Sequence, residues 1–425
     1  MPRRRPPVPA RRTLLKALAA APVLSALGVP SATAARAVDT TATGGTGSVA
    51  GPGIAERTVT PTATAAPGIV KPLPPEYFTL RGTNAEARYE TFEDTGLLTP
   101  VERFFVRNHT STPVLDAADW RLTVWGDGLH GRTPVHFTYG QLRDLPPVTR
   151  TALIECAGNG RSLYATQQGE VVSGTPWTLG AIGAARWRGA RLSDVLRLAG
   201  IAADAVDVQP RGLDDPYVTG GVDLGRVRRP MSVTKALDDV ILAYEMNGEP
   251  LPYDHGHPVR LVVPHWVGIA SIKWLGDIEV SRTPLASPWS TDYYRLFGPA
   301  HPPGGSAPLT RQTLKSAYEL PFGAHLETGR PYRLAGRAWS AHAPVRRVDV
   351  STDGGAHWRP ARLLQPSRHE PWVRWQAHWR PYGPGPATLL SRVTDAAGNT
   401  QPERAVHNTQ GYLFDAVVRH PVTVV

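Results

Sequence analysis

The sequence predicts an α+β protein in which a mixed α/β domain is followed by an all-strand domain. Three observations carry this. The 42 prolines and 41 glycines spread through 425 residues favour short strands and structured loops over long helices. Up to about residue 302, short apolar runs alternate with turn signals and at least one helical pattern. Beyond a Pro/Gly-rich hinge, His301-Pro302-Pro303-Gly304-Gly305-Ser306, only strand-period patterns remain.

In chain order, residues 1–34 read as a secretory leader. Arg11-Arg12-Thr13-Leu14-Leu15-Lys16 supplies a charged start, a mild apolar run reaches Leu27, and Ser31-Ala32-Thr33-Ala34 offers a small-residue cleavage site. The paired arginines resemble a twin-arginine leader, whose pathway carries folded proteins out of the cytoplasm. The apolar run is well short of the ~20 residues of a membrane span, so no stable span is expected in the mature chain. Residues 35–70 are rich in Thr, Ala, Gly and Pro and predict a flexible linker, with order beginning near Lys71.

Residues 71–302 form the first domain. Arg121-Leu122-Thr123-Val124-Trp125, Thr151-Ala152-Leu153-Ile154 and Val259-Arg260-Leu261-Val262-Val263 read as strands, and 191–199 as a helix capped by Ser193 or Asp194 and ended by Gly200. Residues 303–425 form the second. There 345–351 alternates, Asp353-Gly354-Gly355 turns, 374–379 and 387–393 are strands, and Asp395 to Asn399 turns again. That spacing predicts an immunoglobulin-like sandwich.

The formal charge of +10 invites a nucleic-acid reading, but six cations (Arg3, Arg4, Arg5, Arg11, Arg12, Lys16) sit in the leader. Without them 40 basic side chains face 36 acidic ones, which excludes a strong claim on nucleic acid. Cys156 is the single cysteine, so no intramolecular disulfide holds this chain together.

Cys156 follows an apolar β-branched run and precedes Ala157-Gly158-Asn159-Gly160-Arg161, where small residues let the backbone turn and present a thiol at a strand end. A thiolate there suits molybdenum, tungsten or copper. Zinc is disfavoured without a second cysteine or close histidine pair, and a covalent nucleophile with a histidine base is an alternative. Three further clusters place cations or imidazoles beside glycine or apolar strands: Phe105-Val106-Arg107-Asn108-His109, Asp254-His255-Gly256-His257-Pro258-Val259-Arg260, and Lys273-Trp274-Leu275. Together they suit a phosphate-bearing organic cofactor.

These segments, with Glu155-Cys156-Ala157-Gly158-Asn159, 242–248 and 348–355 with Trp358, resemble the sulfite oxidase family in order and spacing from about Lys71 to the C-terminus. The resemblance implies a molybdopterin-binding domain followed by an immunoglobulin-like dimerisation domain, hence a homodimer. It implies that Cys156 ligates molybdenum in a Mo-molybdopterin cofactor. Phe105, Arg107, Asn108, His109, Asp214, His255, Arg260 and Lys273 would contact the cofactor. Tyr294 would border the substrate, and Arg107 and Arg161 would bind a small oxyanion such as sulfite. No haem-attachment Cys-x-x-Cys-His occurs, so electrons are expected to leave to an external acceptor such as cytochrome c.

Three departures bear on substrate. Gly160 stands where the family often has arginine, Ala341-His342-Ala343-Pro344 follows Trp339-Ser340 in place of a glycine-rich turn, and His265-Trp266 replaces small residues after Val-Val-Pro. Sulfite oxidation is the leading expectation. Sulfoxide or nitrate reduction at the same cofactor, and a secreted binding protein without cofactor, are the other readings.

Overall fold

The computed structural model describes residues 67–365 and 371–425. The leader at 1–34 and most of the linker lie outside the described residues. Residues 67–70, assigned to the linker from composition, are already tied down: the amides of Val70 and Lys71 donate to the Asp254 carboxylate, and Thr112 N donates to Gly68 O at 2.8 Å. The described residues belong to one compact unit. Among them no helix is long and apolar enough to cross a membrane.

Two five-stranded sheets organise the first half. In one, the order is Met231–Ser232, Asp207–Gly212, Leu275–Ser281, Arg121–Trp125 and Val135–Thr138, antiparallel except for the pairing of 275–281 with 121–125. In the other, Glu249–Pro250, Ile241–Met246, Ile182–Arg191 and Pro147–Glu155 follow one another, and Arg260–Val262 also pairs with 241–246. Pro147–Glu155 is an edge strand in nine-residue register with 182–191. Its burial alternates at first and becomes continuous over Ala152 to Glu155, so it runs inward as it approaches Cys156.

The expected helix is present at Leu192–Leu198, but its capping differs. Arg191 is the N-cap with no side-chain cap bond, while Ser193 lies inside and is buried. A buried apolar face (Leu192, Val195, Leu196) holds the helix without a polar cap. Gly200, at φ +80°, ends it as expected.

The second half consists of two sheets. Lys315–Tyr318, Tyr332–Trp339, Val373–Trp379 and Arg362–Leu363 form one; Ala324–Leu326, Arg419–Val424, Gly385–Asp395, Val345–Ser351 and Arg359–Pro360 form the other. Leu334, Val373 and Trp375 from the first sheet share a core with Val348, Val350, Leu389 and Val393 from the second, so period-two patterning buries one face of each. The halves are joined by a further core that mixes Phe104, Trp177, Trp187 and Ile182 with Trp339, Trp372 and Phe414. Arg337 crosses this seam fully buried, ion-paired with Glu319 and donating to the carbonyls of Phe92 (2.7 Å) and Gly96 (2.9 Å).

Candidate active site

One cleft brings together Phe105, Arg107, Asn108, His109, Cys156, Asp214, His255, Arg260, Lys273 and Tyr294. These residues come from six separate stretches of sequence, and what unites them is the way strand ends converge. Cys156 leaves the 147–155 strand with its amide donating to Ala181 O (2.9 Å), and its carbonyl accepts from Asn159 N (2.9 Å) in a tight turn.

That turn is pinned from beneath. Glu155, 3% exposed, accepts from Asn159 Nδ2 (3.1 Å) and from Lys315 Nζ (3.4 Å) on one oxygen and from Trp339 Nε1 (3.1 Å) on the other. Lys315 Nζ also donates to Asn159 O (2.9 Å), and Leu413 N to Ala157 O (2.8 Å). The second half of the chain thus holds the loop that presents the thiol.

The same cleft gathers several cationic side chains. Lys273 Nζ donates to Asn108 Oδ1 and Asp254 O, and Arg260 spends its guanidinium on the carbonyls of His255 (3.0 Å) and Ser271 (3.0 Å) over the Trp187 ring. Burial, then the Arg260 charge, pushes the Lys273 ammonium well below its ordinary value; burial alone brings Arg260 to about 9. Lys71, donating to Val101 O (2.9 Å) and Phe104 O (2.6 Å), falls by burial to about 7 despite Asp254. His255 and His109 are kept neutral by burial and then by neighbouring cations. Desolvation raises Asp214 to about 6.

Three buried polar atoms lining this cleft have no hydrogen-bond partner: Arg107 Nη1, His255 Nε2 and Asp214 Oδ1. A buried polar atom left unmade costs about 1–3 kcal/mol, so the cleft is shaped for a ligand with anionic and hydrogen-bonding groups. Among the described residues no set of three His, Cys, Asp or Glu side chains is grouped to hold a metal. A metal beside Cys156 must therefore bring most of its ligands with it, as a pterin dithiolene does.

Tyr294 is held at φ +56°, 5% exposed, with its ring stacked on Tyr412 at 5.1 Å. Burial raises its phenol, which stays a neutral donor at ordinary pH. Trp274, at φ +50°, also lines the cleft; such conformations persist only where surrounding packing enforces them. Arg161 is placed differently from the others. It does not line the cleft, and its guanidinium lies over the Tyr412 ring (5.2 Å) and donates to Gln410 O (2.8 Å) and Thr175 O (2.8 Å). Gly158, Gly174 and Gly411 enclose it so closely that a Cβ on any of them would come within 3 Å.

Sequence reasoning missed Lys71, Asp254, Tyr412 and Arg229. Asp254 stood inside a quoted motif, but nothing in sequence marked it as the anchor for residues 70 and 71 and Thr112. Tyr412 lies far along the chain from Tyr294 and carries no local signal. Arg229 is 1% exposed, donates to Trp289 O and Leu309 O, and is lowered by burial to about 10, with Tyr294 and Tyr412 opposing the shift.

Residues 109–289 match the oxidoreductase molybdopterin binding domain, and residues 320–424 the Mo-co oxidoreductase dimerisation domain. The sulfite oxidase of Gallus gallus is 35% identical over 359 residues, spanning 78% of this chain and 74% of that protein. The chain belongs to the sulfite oxidase family. It is a molybdopterin-dependent oxidoreductase of the sulfite oxidase type, and its cofactor is Mo-molybdopterin. The mitochondrial sulfite oxidase of Homo sapiens is 37% identical over 356 residues, which is 79% of this chain but only 63% of that protein. Among solved structures, the sulfane dehydrogenase SoxCD from Paracoccus pantotrophus superposes with a TM-score of 0.68 at 28% identity, over 79% of this chain and 83% of that one.

Proposed function

We propose that this enzyme oxidises sulfite to sulfate and passes the electrons to an external acceptor such as cytochrome c. The observation that carries this is the unpartnered, buried Nη1 of Arg107 in the cleft that also holds the Cys156 thiol and the Tyr294 phenol. When bound, the molybdenum cofactor supplies two-electron oxygen-atom transfer: sulfite and water become sulfate, with two protons and two electrons released. Cys156 would give the protein's sulfur ligand. Lys273, His255, Asn108, His109, Arg260 and Asp214 would hold the pterin and its phosphate, with Phe105 packing against it.

Arg107 would draw the oxyanion in and orient it, and a guanidinium in a partly dry cleft acts more strongly than in water. Tyr294, kept protonated, would donate a hydrogen bond to a sulfite oxygen. Arg161, through its contact with Tyr412, would fix the ring on which Tyr294 stacks and add positive potential. Gly160 leaves one fewer cation on this approach than the family often has.

The remaining parts of the reading concern setting. The chain would leave the cytoplasm folded, through the twin-arginine leader, and would pair as a homodimer through its second, immunoglobulin-like domain. Sedimentation of the purified protein tests the dimer, and N-terminal sequencing of exported protein tests cleavage after Ala34.

The deciding experiment is sulfite-dependent reduction of ferricyanide and of cytochrome c by protein whose molybdenum content is one per chain. Rapid reduction of both is the expected result. A fully loaded enzyme that ignores sulfite would discard that substrate and favour a second reading, a sulfane-sulfur dehydrogenase. The missing cation at Gly160 and the likeness to the solved sulfane dehydrogenase favour that alternative.

A further inference from the structure

A second cleft, of about 560 Å³, lies where the 147–155 edge strand meets the second half of the chain. It is lined by Thr149 to Leu153, Pro264 and His265, Arg311 and Gln312, and 340–344. Two of the three departures from the family's pattern, His265 and His342, converge here from positions far apart in sequence. Convergence of separate departures on one cavity is what a locally acquired site would produce.

The charges in the cleft are unbalanced. Asp239 is its one carboxylate, and Lys235 holds it. Neither Arg150 nor Arg311 is paired with a carboxylate of the described residues. Arg150 Nε is buried with no hydrogen-bond partner, and Arg311 makes one bond, from Nη1 to Ala341 O at 2.8 Å. Burial disfavours protonating the His265 imidazole; Asp239 opposes that, and Lys235, Arg311 and Arg150 add to it. Two forks with free N–H groups in a polar cavity match a tetrahedral oxyanion, which accepts paired hydrogen bonds from each.

We propose that this cleft binds a small dianionic oxyanion of the sulfate or phosphate class between Arg150 and Arg311. The anion would tie the edge strand that delivers Cys156 to the 311–312 and 340–344 segments. Gln312 already fastens that strand by donating to both Leu153 O (3.1 Å) and Trp266 O (3.1 Å). The site is separate from the cofactor cleft and stands whatever the substrate is.

The test is equilibrium dialysis of the molybdenum-loaded enzyme against radiolabelled inorganic phosphate at fixed ionic strength, repeated with labelled sulfate. The expected result is saturable binding that weakens roughly tenfold for each of Arg150→Gln and Arg311→Gln. It should persist in Arg107→Gln, which alters only the cofactor cleft. Arg150→Lys, which keeps the charge and loses the fork, should fall between. Stronger binding of sulfate would point to the reaction's own product type and stronger binding of phosphate to a free cellular anion; either order supports the site. Binding that is unchanged in the Arg150→Gln/Arg311→Gln double variant, or that disappears with Arg107→Gln, overturns it.

Discussion

Cys156 is placed by a strand end, a tight turn and a buried carboxylate, and its chemistry depends on softness. Cys156→Ser replaces a soft thiolate with a poor donor. Sulfite-dependent ferricyanide reduction should drop at least ~100-fold, more than loss of an outer-shell partner. Molybdenum and pterin content should remain, because the cations of the cleft are untouched. Asp214 gives a pH prediction. Its carboxyl is raised from 3.8 to about 6 by burial, so between those values the folded chain binds more protons than the unfolded one. Stability of the cofactor-free protein therefore falls as pH rises through that window, by about 2–3 kcal/mol at most. Asp214→Asn should abolish that fall, raising the unfolding midpoint above about pH 6 and leaving it unchanged near 3.8; a thermal-melt series across pH reads this out. Gly160 explains its own departure from the family's pattern. It sits at φ +92°, where a Cβ would meet the Phe414 Cβ at 3.1 Å and its ring at 3.2 Å, so Gly160→Ala should cost about 1–2 kcal/mol in urea denaturation. An arginine at this position needs another backbone path.

The element that matters most is the 147–155 strand with the turn that follows it. Its outer end is an exposed edge and its inner end is buried, so one strand links the oxyanion cleft to the cysteine. The turn is stabilised by Glu155, Lys315 and Trp339, and Lys315 and Glu155 are both almost wholly buried. Removing one partner of such a pair strands a charge, at about 3–5 kcal/mol. Glu155→Gln and Lys315→Met should each lower stability by that order, and the double variant should recover part of the loss in a urea double-mutant cycle. Additive losses would mean the two side chains act independently. The 192–198 helix teaches a smaller lesson: a polar residue near a helix start signals a cap only when its backbone lies outside the helix, and Ser193 lies inside it.

At the scale of the whole molecule, the two halves share one apolar core. Trp339, Trp372 and Phe414 pack with Phe104, Trp177 and Trp187, and Arg337, ion-paired with Glu319 in its own half, also donates to the carbonyls of Phe92 and Gly96 across the seam. A chain ending at residue 302 would expose that face and lose the support of Glu155. It should be insoluble or aggregated by size-exclusion chromatography, and should retain no molybdenum. A soluble, cofactor-loaded truncation would show that the seam is dispensable.

By itself the sequence marked a strand-end thiol at Cys156 and many of the residues that line the cleft, and the resemblance of those motifs to the sulfite oxidase family supplied the cofactor class. Those features reside in short contiguous motifs whose residue types are set by chemistry: a soft ligand after a strand, and cations beside glycine. Its period-two patterning likewise announced the strands Val345–Ser351, Val373–Trp379 and Gly385–Asp395, because each buries alternate side chains, but not Lys315–Tyr318, Tyr332–Trp339 or Arg419–Val424. Tertiary structure alone decided the rest. It brought Tyr412 under Tyr294, turned Arg161 onto backbone carbonyls, and set Lys315 and Trp339 beneath Cys156. It also gathered Arg150, Arg311, His265 and His342 into one cavity. Contacts between residues more than a hundred positions apart leave no local pattern, since they depend on how strand ends and loops are packed and not on any periodicity along the chain.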